Sequence, residues 1–266
     1  MSVWVLLRGL TRERGHWGGF PRQLAERVSP ARIVALDLPG NGVLHHQCSP
    51  ARVPDMIAPC RAQLQALGLP GPYCLVAMSL GAMVAIAWAD ACPDEVEGCV
   101  LINTSVRPFS PVHRRLSPSS YLPLFRLLAS RDDHASEAII LGLTSRTRPA
   151  AVLDDWVALR RNHRVSRLNA LRQLVAAARF RAPARPPAVP MLILSGAADA
   201  LVDPRCSEAL AARWSLPLVQ HATGGHDLPL DDGPWVAARI SDWLEAHLTK
   251  EQSHEAENQP YHPRGR

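Results

Sequence analysis

Residues 74–83, CLVAMSLGAM, place one hydroxyl inside an uncharged apolar run. The residues up to Met78 predict a buried strand and those from Leu80 a buried helix, so Ser79 falls on the turn between them. Ala77 and Gly81 stand two residues to either side, and a sharp strand-to-helix turn needs small residues at those positions. The pattern favours an exposed, nucleophilic serine. A core serine bonded to its own backbone is the alternative.

Short apolar runs alternate with helical patterns on both sides of this stretch. Near-continuous apolar runs are typical of strands covered on both faces, and their alternation with helices predicts an α/β fold with a doubly wound, mostly parallel sheet. The predicted strands are 2–8, 31–37, 73–78, 97–104, 189–196 and 217–222, and the predicted helices are 18–28, 51–67, 80–91, 204–214 and 233–248.

A long insertion separates the fourth and fifth predicted strands. It contains helical patterns but no convincing strand, and proline-rich segments mark both of its ends. We therefore expect one core domain formed by residues 1–105 and 188–248, with an inserted helical cap at 106–187. The polar, proline-containing residues 249–266 are expected to be disordered.

One segment of the predicted cap has a clear helical period. Leu168, Leu171 and Leu174 recur at helical spacing, and Arg167 and Arg172 lie off that stripe. This spacing is typical of an amphipathic helix.

The positive charge of the chain is concentrated in the insertion. Residues 107–185 hold fifteen arginines against five carboxylates, whereas the net charge of the whole chain is +5. Few aromatic residues lie among these arginines and no nucleic-acid motif accompanies them, so we expect no nucleic-acid partner. The arginines either solvate the outer faces of cap helices or, for one or two of them, turn inward to hold an anionic substrate.

Cysteine usage and hydropathy favour a reduced, cytoplasmic protein. The six cysteines form no C-x-x-C pair, and Cys74 and Cys99 fall in predicted core strands. The N-terminus has no basic leader before its apolar run, which is unlike a signal peptide. The uncharged run 73–89 is shorter than the roughly twenty residues that a membrane helix needs, so no membrane span is expected.

Two further residues follow predicted strands at the same sheet edge as Ser79. Asp199 follows the fifth strand, and His226 lies in a glycine-flanked loop after the sixth. A serine hydroxyl is a weak nucleophile until an imidazole takes its proton, and a carboxylate must orient that imidazole. The order Ser, Asp, His is that of the triad in α/β-hydrolases. Asp203 is the alternative acid, but it precedes a proline and is typical of a helix start.

These features resemble a lid-bearing α/β-hydrolase over residues 2–248, of the bacterial esterase or menaquinone-pathway lyase type. VALDLPGNG at 34–42 and GGHDLPLDD at 224–232 resemble two loops of that family. The resemblance implies an oxyanion hole made by the backbone N–H groups of Leu10 and Leu80. The sequence departs from the family at Arg8, where a histidine is usual. Residue 2 begins what would be the family's third strand, so no N-terminal antiparallel hairpin is expected.

The remaining candidates are pocket walls and metal ligands. Trp17, Leu38 and Met78 are candidate walls of an acyl pocket, with ordinary core positions as the alternative. His16, His45 and His46 are expected to line the site or lie at the surface, His221 is expected to be structural, and Asp227 is expected to stabilise its loop. The histidines and cysteines show no metal-ligand spacing, so neither a metal nor another cofactor is expected.

A serine at this turn predicts acyl chemistry on a carboxylic ester or thioester of a small, in some cases anionic, molecule. The covalent acyl-enzyme would then be resolved by water. Two alternatives remain open. One is a lyase or carbon–carbon bond hydrolase that uses the same triad, and the other is a non-catalytic binding module that retains the fold. The substrate and the oligomeric state are not determined by the sequence.

Overall fold

The computed structural model describes residues 2–147 and 150–257, and its centre is a six-stranded parallel sheet. The strands are β1 (Ser2–Leu7), β2 (Ala31–Leu36), β3 (Tyr73–Met78), β4 (Val96–Ile102), β5 (Met191–Gly196) and β6 (Leu218–His221). They lie in the order β2-β1-β3-β4-β5-β6, and every pairing is parallel. The predicted parallel α/β sheet is confirmed.

The four inner strands are buried on both faces, as their continuous apolar sequences require. Alternate residues of β1 point to opposite sides, so that Val5 and Leu7 join one hydrophobic core and Trp4 and Leu6 the other. The two edge strands, β2 and β6, are only partly covered. The sheet therefore has a hydrophobic core on each face, between the strands and a layer of helices.

Five helices alternate with the strands and supply these layers. They are α1 (Phe20–Arg27), α2 (Ile57–Ala66), α3 (Leu80–Ala91), α9 (Arg205–Trp214) and α10 (Leu228–Glu257). Helices α1 and α10 pack on one face of the sheet, and α2, α3 and α9 contribute to the core on the other. Helices α1, α3 and α9 lie within two residues of their predicted bounds. Helix α2 begins six residues later than predicted, whereas α10 begins five residues earlier and ends nine residues later. Helix α10 is kinked at Asp232, two residues before Pro234.

In its described part, the chain between β4 and β5 forms five more helices, called the inserted helices below. They are α4 (Val112–Arg115), α5 (Tyr121–Ala129), α6 (Asp133–Thr144), α7 (Ala150–Asn162) and α8 (Arg167–Arg179). Of the C-terminal residues expected to be disordered, 249–257 continue α10 and 258–266 lie outside the described residues.

Helix α8 turns its apolar stripe outward. Leu168, Leu171 and Leu174 are 60%, 55% and 47% exposed, whereas Asn169 and Gln173 are buried. An amphipathic helix ordinarily buries its apolar stripe. The reverse holds here because the two amides find hydrogen-bond partners beneath the helix, as described below.

The cysteines occupy the places that the sequence predicts. All six are free, and Cys74 and Cys99 lie in β3 and β4 within the core. Burial raises the pKa of the Cys60 thiol to about 12 and raises that of Cys99, which keeps both thiols protonated. Within the described ranges, none of the helices combines the length and the apolarity that crossing a bilayer demands.

Candidate active site

Ser79 occupies a strained turn between β3 and α3. Its backbone has φ 55° and ψ −116°, a conformation that non-glycine residues adopt only where the surrounding structure enforces it. Its N–H donates to the Ile102 carbonyl at 2.9 Å, which ties the turn to β4. Gly81 allows the turn to pass β1, because a methyl group there would collide with the carbonyl oxygens of Leu7 and Arg8.

His226 and Asp199 form a buried hydrogen-bonded pair at the ends of β5 and β6. His226 Nδ1 lies 2.7 Å from Asp199 Oδ2. The other carboxylate oxygen accepts backbone N–H groups from Leu201 and Val202, so the acid is held in place. The structure thus joins Asp199, rather than Asp203, to the imidazole.

The two residues weighed against this pair have other partners. Asp203 binds Arg205 at the start of α9, and that contact lowers the pKa of the carboxyl. His221 lies at the end of β6, where its Nε2 is 3.2 Å from Asp232 and its Nδ1 accepts the Gly224 N–H. Both are positioned as structural residues.

Ser79 and His226 line one small cavity of about 110 Å³. Met78 and Leu10 form part of its wall, and the inserted helices close it with Leu124, Leu127, Ile140, Leu143 and Thr144. In the described structure the Ser79 hydroxyl makes no hydrogen bond to His226. Such contacts are often long before substrate binds.

Two of the three predicted pocket walls lie elsewhere. Trp17 stacks on Phe20 in the core between the sheet and α1. Leu38 is 1% exposed and packs in the opposite core. Neither lines the cavity that contains Ser79, because both side chains are used for packing. Met78 does line it.

The predicted oxyanion donors stand beside Ser79. Leu80 is the first residue of α3, and the first N–H groups of a helix have no acceptor within it. Leu10 lies in the loop after β1 and lines the Ser79 cavity. Among the described hydrogen bonds, neither N–H has an acceptor. An oxygen anion bound there would also face the positive end of the helix dipole.

A buried amide network fixes the loop that carries Leu10. Thr11 has φ 58°, and its N–H donates to Gln173 Oε1 of α8 at 2.8 Å. Gln173 Nε2 donates to Asn41 Oδ1, and Asn41 Nδ2 donates to the Arg12 carbonyl. This network connects the inserted helices to the loop after β1 that carries Leu10, called the oxyanion loop below because Leu10 is a predicted oxyanion donor. It also explains why Gln173 lies on the buried face of α8.

Arg8, the departure from the family pattern, forms a buried ion pair with Asp227. Both guanidinium NH₂ groups contact the two carboxylate oxygens, one of them at 3.0 Å, and the side chains are 1% and 2% exposed. The guanidinium carbon also lies 4.9 Å from the centre of the Trp17 ring. Because Asp227 follows His226, this pair joins the oxyanion loop to residues 222–227 between β6 and α10, called the histidine loop below. Sequence analysis assigned a loop-stabilising role to Asp227 without finding its partner.

Asn103 supports the loops around His226, and sequence analysis did not identify it. Its Nδ2 donates to the carbonyl oxygens of Gly225 and His226, and its Oδ1 accepts the Gly196 N–H. It has φ 47° directly after β4, a conformation that asparagine tolerates better than most residues. An asparagine at the carboxyl end of a central strand is the only signal of this role in the sequence.

Asp231 attaches the histidine loop to the inserted helices. Its carboxylate accepts from Ser145 Oγ and from the N–H groups of Gly225, Arg146 and Thr147. Burial raises the pKa of this carboxyl, but the four hydrogen bonds together outweigh burial and lower it. Asp231 is therefore ionised near neutral pH.

The other candidate histidines lie beside the site rather than at Ser79. His16 is buried, and burial together with the Arg12 and Arg8 cations holds its pKa well below its ordinary value. It is therefore neutral and accepts a hydrogen bond from Arg12. The ring of His45 lies against His46 and His163. In the described ranges, no three histidine, cysteine or carboxylate side chains are grouped so as to hold a metal ion.

Comparison with known proteins agrees with this architecture. The model of the alpha/beta hydrolase family matches residues 4–239. An enol-lactonase from Burkholderia xenovorans LB400 superposes with a TM-score of 0.74 at 18% identity, over 92% of this chain and 91% of that one. A thermophilic esterase from Thermogutta terrifontis superposes with a TM-score of 0.69 at 22% identity, over 92% and 90%.

One curated relative matches over a shorter region. It is the pimeloyl-[acyl-carrier protein] methyl ester esterase of Chromobacterium violaceum, which is 38% identical over 103 residues. The matched region spans 39% of this chain and 37% of that protein. The family match, by contrast, covers most of the chain and includes the turn at Ser79, the loop at Asp199 and His226. The chain therefore belongs to the alpha/beta hydrolase family.

Proposed function

We propose that this protein is a serine hydrolase that cleaves a carboxylic ester or thioester of a small molecule. Ser79 is the nucleophile, His226 the general base and Asp199 the orienting acid. The observation that carries the proposal is that His226, whose Nδ1 lies 2.7 Å from Asp199, lines the same cavity as Ser79.

The arrangement supports a two-step reaction. With Nδ1 donating to Asp199, the neutral imidazole leaves Nε2 to accept the proton of Ser79 as Oγ attacks the carbonyl carbon. The N–H groups of Leu10 and Leu80 stabilise the resulting oxyanion. Its collapse expels the alcohol or thiol, which takes the proton from Nε2. Water, activated by the same imidazole, then releases the acid and regenerates Ser79.

The family and its members support hydrolysis as the reaction class. An esterase and an enol-lactonase share the fold, and the relative from Chromobacterium violaceum is an ester hydrolase. The small cavity beside Ser79 suits a short acyl or alcohol group better than a bulky one. The alternatives from sequence, a lyase or carbon–carbon bond hydrolase and a binding module, have no observation of their own that favours them.

Steady-state kinetics on 4-nitrophenyl esters and acyl-CoA thioesters of two to eight carbons tests the proposal. The wild-type protein is expected to hydrolyse at least one of these classes. Ser79→Ala and His226→Ala are expected to lower kcat by roughly 10³-fold or more, and the double variant to lose little beyond either single change, because the residues act as one unit.

Ser207→Ala serves as the control, because Ser207 is buried in α9 and does not line the cavity that contains Ser79. It is expected to keep wild-type kinetics. No turnover of any ester or thioester would contradict the proposal and favour the lyase or binding alternatives. Wild-type activity in His226→Ala would exclude the triad.

A further inference from the structure

A second, larger cavity of about 310 Å³ adjoins the one that contains Ser79. The two share the lining residues Thr11, Arg12, Leu127 and Ile140. The larger cavity extends away from the oxyanion loop, between the C-terminal end of α5 and the start of α8. The two cavities therefore meet along the residues that they share.

The lining of the larger cavity is strongly basic. Five arginines line it against two carboxylates, Glu13 and Glu137. The arginines are Arg12, Arg131, Arg160, Arg164 and Arg167. The two carboxylates thus leave an excess of positive charge around the space.

Three of these arginines are already held in ion pairs, which they share between two carboxylates. Glu137 accepts from Arg12 at 2.7 Å and from Arg160 at 3.1 Å, and Arg164 binds Asp133 at 2.6 Å. Arg12 is also fixed by its contact with His16 and by the Trp156 ring, whose centre lies 4.3 Å from the guanidinium carbon. Glu13, the other carboxylate, is paired with His163 at 2.8 Å.

Arg131 and Arg167 have no such partner. In the parts of the chain that the structure describes, neither side chain makes a hydrogen bond or ion pair to another residue, and both residues are exposed to solvent. Arg131 joins α5 to α6, and Arg167 is the first residue of α8, so the two stand at the two ends that bound the cavity. Ser166, which caps α8, lies on the same lining.

We propose that this cavity binds an anionic group, a carboxylate or a phosphate, at the far end of the substrate whose ester or thioester lies at Ser79. This proposal rests on the proposed hydrolase function and names its substrate class. Two free guanidinium groups supply the paired N–H donors that such anions accept, and the fixed Arg12 adds positive charge between them and the nucleophile. Of the insertion's arginines, Arg131 and Arg167 are thus assigned ligand-binding roles.

The test compares matched substrates in wild type and in the Arg131→Gln/Arg167→Gln variant. The substrates are 4-nitrophenyl esters of equal length that end in a methyl, a carboxylate or a phosphate group. In wild type, kcat/KM is expected to be higher for the anionic esters. The double variant is expected to lose about tenfold or more of kcat/KM on the preferred anionic ester, and less than about twofold on the neutral one. The anionic ester whose kcat/KM falls more in the double variant identifies the group that the cavity selects.

Arg126→Gln/Arg179→Gln is the matched control, because it removes two charges from positions that are also exposed but do not line the cavity, one on α5 and one on α8. Its ratio of anionic to neutral kcat/KM is expected to match wild type. Equal losses in the two double variants would overturn the proposal, since they would reflect only the overall charge. An unchanged ratio in Arg131→Gln/Arg167→Gln would overturn it as well.

Direct binding measurements on Ser79→Ala distinguish a failure of the anion site from a failure of the hydrolase proposal. Calorimetric titration with glutarate and with inorganic phosphate is expected to detect binding, and adding Arg131→Gln/Arg167→Gln is expected to abolish it. This result would support the anion site even if no ester were hydrolysed. Binding that survives the two substitutions, or no binding of either anion, would contradict the site.

Discussion

Arg8 and Asp227 hold the two loops that flank Ser79, and they do so with charges that are almost completely buried. Removing one partner of a buried pair leaves an uncompensated charge, which costs about 3–5 kcal/mol, whereas replacing both with apolar residues is often neutral. We therefore expect Arg8→Met to lower the free energy of unfolding by about that amount. Arg8→Met/Asp227→Leu should recover most of the stability.

The same double variant shows whether the Arg8–Asp227 pair positions the two loops for catalysis or only stabilises the fold. If the pair orients the oxyanion and histidine loops, Arg8→Met/Asp227→Leu should keep a low kcat despite its restored stability, as measured by urea unfolding and ester kinetics. Recovery of both quantities would show that the pair only stabilises the fold. Arg61→Met removes a partly exposed pair with Glu95 and is the control, with an expected loss of at most about 1 kcal/mol.

Asn103 connects β4 to the loops of β5 and His226 through both ends of its amide. In Asn103→Asp the side chain no longer donates to the Gly225 and His226 carbonyl oxygens but still accepts from Gly196. The free energy of unfolding should fall by about 2–3 kcal/mol, because two buried acceptors lose their donor. Urea unfolding at pH 7 measures this, and a loss below about 0.5 kcal/mol would show that the amide donors are dispensable.

At the scale of a single helix, α8 reverses the rule that apolar stripes are buried. Leu171→Gln changes an exposed position and should alter the free energy of unfolding by no more than about 0.5 kcal/mol. Gln173→Leu leaves the Thr11 N–H and the Asn41 amide without their partners and should cost about 1–3 kcal/mol. Urea unfolding of the two variants provides the comparison. A larger loss in Leu171→Gln than in Gln173→Leu would mean that the leucine face is the buried one.

The attachment of the inserted helices to the histidine loop depends on pH through Asp231. Its folded pKa is lowered, so its contribution to stability is present above its unfolded pKa, near 3.8, and is lost as pH falls through the folded value. Asp231→Asn should therefore be less stable than wild type at pH 6, by about 1–2 kcal/mol, and the difference should shrink below about pH 4. Urea unfolding between pH 3 and 7 checks this, and a difference independent of pH would contradict it.

At the scale of the whole molecule, the strands and the turn at Ser79 could be predicted because short stretches of sequence determine them. The apolar runs mark all six strands, and the small residues at Ala77 and Gly81 mark the turn at Ser79. The order of Ser79, Asp199 and His226 along the chain is also enough to expect them at one sheet edge, because the carboxyl ends of parallel strands meet there.

The remaining features of the site depend on contacts between distant parts of the chain. Arg8 and Asp227 are 219 positions apart, and Thr11 and Gln173 are 162 apart. An arginine in a loop, or a glutamine in a helix, has the same local pattern whether it is solvated or buried against a partner. The orientation of α8 was not predictable for this reason, and neither was the division of the insertion's arginines into paired and free ones.

The central claim is that Ser79 is the nucleophile of a hydrolase, and covalent labelling tests it most directly. The wild-type protein and Ser79→Ala are treated with a fluorophosphonate, and intact mass and peptide mapping locate the adduct. The account predicts one phosphonyl group per wild-type chain, attached to Ser79, and no adduct in Ser79→Ala at the same time and concentration. Labelling of Ser79→Ala at the wild-type rate, or an adduct on another residue of the wild-type protein, would contradict it.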